Sequence, residues 1–143
     1  MIIKDYHVKK HIYKTRVRYV EVDSMEVVHN SKYLVYFEEA RTDLVRKENY
    51  PYSKIEEEGI FLPVTKTEIE YLLPIKYDEE ITVEVNFTYI KNVSIKIDYE
   101  IKNSKNEISS GGYTLHAFID KNINKFVNIP DDLRHILNKH LTE

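Results

Sequence analysis

The chain has 143 residues, 21 basic against 24 acidic side chains, and no cysteine, which suits one domain that buries its own core without disulfides. The missing cysteines exclude thiolate zinc sites, iron–sulfur clusters and thiol nucleophiles, and the near-balanced charge of −3 argues against a nucleic-acid partner. With only Gly59, Gly111 and Gly112, the chain lacks the spaced glycines of phosphate-binding loops and the GxSxG elbow of serine hydrolases.

The N-terminal stretch MIIKDYHVKKHIYK has no apolar run of signal-peptide length, and nothing later approaches a membrane span, so the expectation is a soluble cytoplasmic protein. Lys14 to Val22 mixes β-branched, tyrosine and arginine residues and predicts a strand. Asn30 or Ser31 is placed to cap a helix running from Ser31 to Lys47, with Tyr33, Phe37, Ala40 and Leu44 on one face. Asn49-Tyr50-Pro51 ends that helix, and Tyr52 to Glu58 predicts a short helical turn before Gly59.

Val64 to Leu72, Glu80 to Ile90, Val93 to Lys102 and Ile108 to Ile119 predict four further strands in meander, two of them alternating apolar and polar along their length. Lys91-Asn92 forms a tight hairpin, Asn103 to Asn106 a second turn, and Gly111-Gly112 marks a bulge or a close backbone approach. Pro130-Asp131-Asp132 opens a short C-terminal helix. A strand, a long apolar helix and a set of one-faced strands make an α+β fold, one antiparallel sheet with the helix covering its apolar face.

The most informative stretch is Glu21 to Arg41, EVDSMEVVHNSKYLVYFEEAR. A carboxylate, Asp23, stands just before a helix start, where the first amides have no intrahelical partner. This is either ordinary loop chemistry or half of an active site whose other half is the helix end.

The block Asp23, Val27-Val28, His29-Asn30, Tyr33, Phe37-Glu38 and Ala40-Arg41 resembles the hotdog-fold thioesterases of the 4-hydroxybenzoyl-CoA thioesterase type, close to the YbgC-like branch, and the likeness runs from about Tyr13 to about Pro130. The resemblance implies a sheet of about five strands wrapped around one central helix. It implies an acyl-CoA or acyl carrier protein substrate and an obligate homodimer, with dimers pairing again, whose site lies at the protomer interface. It implies no cofactor beyond the coenzyme A of the substrate, and the histidine spacing suggests no metal.

By the same resemblance Asp23 is the catalytic carboxylate, as general base or as nucleophile, and the backbone amide of Asn30 polarises the thioester oxygen at the positive helix end. His29 is a candidate for orienting water or substrate, and Tyr33 for substrate contact. At the hairpin Lys91 is a candidate for a phosphate, and Asn92 and Ser94 for the pantetheine. Tyr36, Phe61 and Tyr71 are further candidates for the acyl lining. A pairing of Glu38 with Arg41 and a packed His116 are expected as structural features. Relatives carry glycine where this chain has Glu26, so a left-handed turn after Asp23 would place a glutamate under strain. A hotdog dehydratase is the nearest rival, disfavoured because no His-Phe-Pro-like helix entry is present, and a non-catalytic acyl-CoA-binding module is the rival from another class.

Overall fold

The computed structural model describes residues 10–142, so the expectation for Met1 to Lys9 lies outside the described residues. Strand β1 (His11–Arg16) leads to a 3-10 turn at Tyr19–Glu21 and then to α1 (Lys32–Lys47). Next come α2 (Tyr52–Glu57), β2 (Ile60–Phe61), β3 (Val64–Tyr71), β4 (Glu80–Ile90), β5 (Ser94–Lys102) and β6 (Ile108–Ala117). Short β7 (Ile119–Asp120) and β8 (Lys125–Phe126) precede α3 (Asp131–Asn138). No helix among the described residues is long and apolar enough to cross a membrane.

The main sheet has five antiparallel strands in the order β1-β4-β5-β6-β3. The α+β hotdog arrangement expected from the sequence is therefore the observed one, with Tyr33, Tyr36, Phe37, Ala40 and Leu44 of α1 buried on the sheet. Their partners are Ile81, Val83, Val85 and Phe87 of β4 and Ile95, Ile97, Tyr99 and Ile101 of β5, the apolar members of the two alternating patterns. Phe37 stacks on Tyr99 with ring centroids 4.2 Å apart. α1 ends in a Schellman closure: the Tyr50 amide donates to Val45 O, the Asn49 amide donates to Arg46 O, and Asn49 takes φ 61°.

Three expectations need correction. The first strand stops at Arg16 rather than Val22, because the Arg18 amide donates to the buried Glu21 carboxylate and turns the chain. The four later strands are not a simple meander: β4, β5 and β6 are, but β3 crosses to the far edge beside β6. The β3–β4 connection, 72–79, is too long for a tight turn and carries Pro74, and it is tied across the sheet end by the Leu72 and Leu73 amides on Ser109 O. The strand predicted from Ile108 to Ile119 breaks at Phe118, and Ile119 pairs with Phe61 instead. At Gly112 the close-approach reading holds, since a Cβ there would collide with the backbone carbonyl of Glu68 on β3. The register shift in β6 falls near Ile108, not at the glycines.

Candidate active site

The loop between the 3-10 turn and α1 is held from both sides. The Val28 amide donates to Ile75 O at 2.8 Å and the His29 amide to Glu21 O at 2.9 Å. Below it, the Glu21 carboxylate accepts from the Tyr36 hydroxyl at 2.9 Å and from the Arg18 side chain. Burial and the neighbouring Glu21 carboxylate together push the Tyr36 phenol well above its ordinary pKa, so it stays a donor. This buried carboxylate ties the loop to the middle of α1.

Within the loop, Asp23 folds back on its own chain. Its carbonyl accepts from the Glu26 amide at 3.0 Å, and its amide donates to Val27 O at 2.9 Å. Asp23 Oδ1 accepts from the Met25 amide at 2.8 Å, while Oδ2 has no protein partner among the described residues. Glu26 adopts φ 66°, so the left-handed turn that suits glycine is kept by a glutamate.

The helix start differs from the expectation in one instructive way. Neither Asn30 nor Ser31 caps α1 through its side chain. Instead His29 Nδ1 accepts from the Ser31 amide at 3.2 Å and lies 2.8 Å from Ser31 Oγ. Because an amide can only donate, Nδ1 must be the acceptor, which in the neutral ring leaves the proton on Nε2. The Lys32 amide is also consumed, by His29 O at 2.9 Å. Among the amides of Val28 to Lys32, that of Asn30 alone donates to no protein atom among the described residues, although its carbonyl accepts from the Tyr71 hydroxyl at 3.1 Å.

Asp23, His29, Asn30 and Tyr33 line one cleft of ≈ 490 Å³ together with Met25, Val27, Val28 and the segment Tyr71–Pro74. Four residues singled out on the sequence are thus brought together. Tyr33 is 4% exposed and packs edge-on to Tyr71 at 4.9 Å, so it forms a wall of the cleft rather than a mobile contact.

The model of the thioesterase-like superfamily matches residues 17–137. The chain belongs to this superfamily. It is 25% identical over 105 residues to the acyl-CoA thioester hydrolase YbgC of Escherichia coli, covering 73% of this chain and 78% of that one. It superposes on the DHNA-CoA thioesterase of Staphylococcus aureus with a TM-score of 0.85 at 28% identity, covering 91% of this chain and 89% of the other. A hypothetical protein of Aquifex aeolicus gives a TM-score of 0.83 at 29% identity, with 88% of this chain and 98% of the other covered. Thioester hydrolysis is the activity that this membership assigns.

Within this thioesterase-like protomer the hairpin candidates stand apart from the cleft. Lys91, Asn92 and Ser94 sit at the end of the sheet where β3 begins, at Val64, whereas Tyr71 at the cleft is where β3 ends. The seven residue-to-residue steps from Val64 to Tyr71 put the two ends roughly 23 Å apart. The hairpin is also braced: the Arg134 guanidinium donates to the carbonyls of Ile90 and Lys91, the Ile129 amide donates to Asn92 O, and the Lys91 ammonium lies 4.4 Å from the Tyr89 ring centroid. Phe61 lies outside the cleft, half exposed at 50%.

Glu38 and Arg41 form no ion pair, contrary to expectation; Glu38 is exposed while Arg41 is drawn inward. His116 is packed as expected, 1% exposed. Two residues of the site architecture were not assigned such a role from the sequence. Glu21 reads there as one more strand residue, and the hydroxyl bond of Tyr71 to Asn30 spans 41 positions that no local pattern connects.

Proposed function

We propose that the chain hydrolyses acyl-CoA thioesters in the Asp23–Asn30 cleft. The observation that carries the reading is the unspent Asn30 amide at the helix start, in one cleft with a carboxylate that has one anchored and one free oxygen. A thioester oxygen at the Asn30 amide would be polarised by that donor and by the helix end behind it. Tyr71 strengthens the arrangement by accepting no proton from this amide and holding the Asn30 carbonyl instead. Asp23 Oδ2 then serves the carbonyl carbon, either by taking a proton from water or by attacking it directly. The proton on His29 Nε2 makes that nitrogen a donor to substrate or water rather than the base. The reaction needs only water besides the thioester.

The working unit in this reading is a homodimer. β3 is an edge strand with seven of its eight residues exposed, and Leu34, Val35 and Phe61 add exposed apolar surface. Antiparallel pairing of β3 with its copy sets the cleft end of one protomer against the hairpin end of the other. That brings the partner's Lys91, Asn92 and Ser94 toward the cleft for the phosphates and pantetheine of coenzyme A, which one protomer alone cannot do. A thiol-release screen over acyl-CoAs of varied length and aromatic character tests the activity. Tight acyl-CoA binding with no thiol release from any member would favour the non-catalytic binding module instead.

A further inference from the structure

A second cavity, of ≈ 170 Å³, lies between α1, α2, α3 and the inner face of the sheet and shares no lining residue with the cleft. Val45, Ile55, Leu62, Ile97, Leu133 and Leu137 give it an apolar wall. A cavity of roughly 150 Å³ lined by such side chains is large enough for a benzene ring. Into this apolar space α1 brings Arg41.

The guanidinium of Arg41 is partly buried and has no carboxylate within ion-pairing distance among the described residues, whereas Arg16 and Arg18 both have one. Arg41 acts electrostatically on Tyr52 and His116 and both electrostatically and by hydrogen bonding on the Tyr99 hydroxyl, which places its charge among the polar groups of the cavity. Those groups are already satisfied. The Tyr99 hydroxyl lies 2.7 Å from Thr114 Oγ1, Thr114 Oγ1 lies 2.8 Å from His116 Nε2, and His116 Nδ1 lies 3.2 Å from Leu62 O. None of them carries a negative charge to balance Arg41. Glu38 lines the cavity too and its charge, like that of Arg41, is felt at Tyr52, but it is exposed, where water screens it, and it forms no ion pair with the guanidinium.

A partly buried cation with no carboxylate paired to it gains from a counter-charge, and an anion with an apolar body supplies one while filling the space. We propose that this cavity is a binding site for a small monocarboxylate bearing an aromatic ring or a short branched chain, its carboxylate paired with Arg41 and its apolar body in the space between α1, α3 and the sheet. The fork of the guanidinium matches a carboxylate in a bidentate pair, which a lysine would not reproduce. The site is independent of the proposed thioesterase reading, since binding is measured without turnover and in a chamber that does not include Asp23.

Calorimetric titration of the full chain with benzoate tests this, with benzamide as the uncharged analogue of the same shape. Saturable binding of one benzoate per chain is expected, with benzamide roughly 10- to 100-fold weaker, the usual loss when a charge-assisted pair is removed. Arg41→Met should weaken benzoate by a similar factor, and Asp23→Asn should leave it unchanged. Absence of saturable benzoate binding up to about 10 mM, where affinity is already very weak, overturns the site. So does equal affinity for benzamide, unchanged benzoate binding in Arg41→Met, or loss of binding in Asp23→Asn. If Arg41→Met does not fold, the benzamide comparison on the unaltered chain decides the matter alone.

Discussion

His116 offers a quantitative test of how the interior is wired. It is 1% exposed, accepts from Thr114 on one ring nitrogen and faces Leu62 O with the other. Burial, with a smaller contribution from the nearby Arg41 charge, depresses its pKa from 6.5 to about 4. As pH falls below 6.5 the unfolded chain takes up a proton that the folded chain refuses until about pH 4, so this residue's contribution to stability is present above that window and is lost within it. Linkage over a single such group amounts to a loss of about 2 kcal/mol between pH 7 and pH 5.

His116→Gln keeps an acceptor for Thr114 and a donor for Leu62 but removes the titration. At pH 7 it should cost about 1–2 kcal/mol through poorer hydrogen-bond geometry. At pH 5 most of that gap should close, because only the unaltered protein has lost its His116 contribution. His11, whose pKa is also lowered mainly by burial, is common to both chains and cancels in the comparison. Urea unfolding of both proteins at the two pH values provides the measurement, and the ring-proton shift of His116 followed by NMR supplies the titration itself. Equal pH dependence of the two stabilities would refute the buried, neutral histidine and the relay built on it.

Further predictions concern the loop, the sheet and the dimer. Glu26→Gly removes a non-glycine side chain from φ 66° and should raise stability by about 1 kcal/mol in thermal or urea unfolding, with the turn unchanged. Gly112→Ala drives a methyl into the Glu68 carbonyl and should destabilise by roughly 2–4 kcal/mol, seen as a lowered melting temperature. Tyr71→Phe deletes the bond to Asn30 O and should lower kcat by roughly 2- to 10-fold with little change in stability, as the tyrosine is 47% exposed. Thr67→Pro, on the exposed edge strand, should shift the protein toward monomer in sedimentation and reduce coenzyme A thiol release in parallel.

What could be read from the residues alone follows the range of the interactions involved. α1 was legible because Tyr33, Phe37, Ala40 and Leu44 recur at spacings that only a helix face explains, and the structure buries all four. The alternation of β4 and β5 was legible for the same reason at a period of two. The grouping of Asp23, His29, Asn30 and Tyr33 was legible because all four lie within one loop and the helix it starts. Strand order was not, since the choice of β6 rather than β4 as the neighbour of β3 depends on a connector crossing the sheet end and on the space left by Gly112. The cap was misassigned because a histidine ring reached the Ser31 amide before any serine or asparagine oxygen did. Arg41 looked like half of a structural pair with Glu38, and only the packing of α1 over the sheet turns it inward.

The central claim is that Asp23 acts on a thioester whose oxygen rests at the Asn30 amide, and Asp23→Asn tests it most directly. Asparagine retains the Oδ1 acceptor that the Met25 amide uses, so the loop and its melting temperature should be preserved. With the carboxylate gone, kcat for coenzyme A thiol release from the best acyl-CoA substrate should fall by about 10²-fold or more. A folded Asp23→Asn protein that releases thiol at close to the unaltered rate would contradict the account.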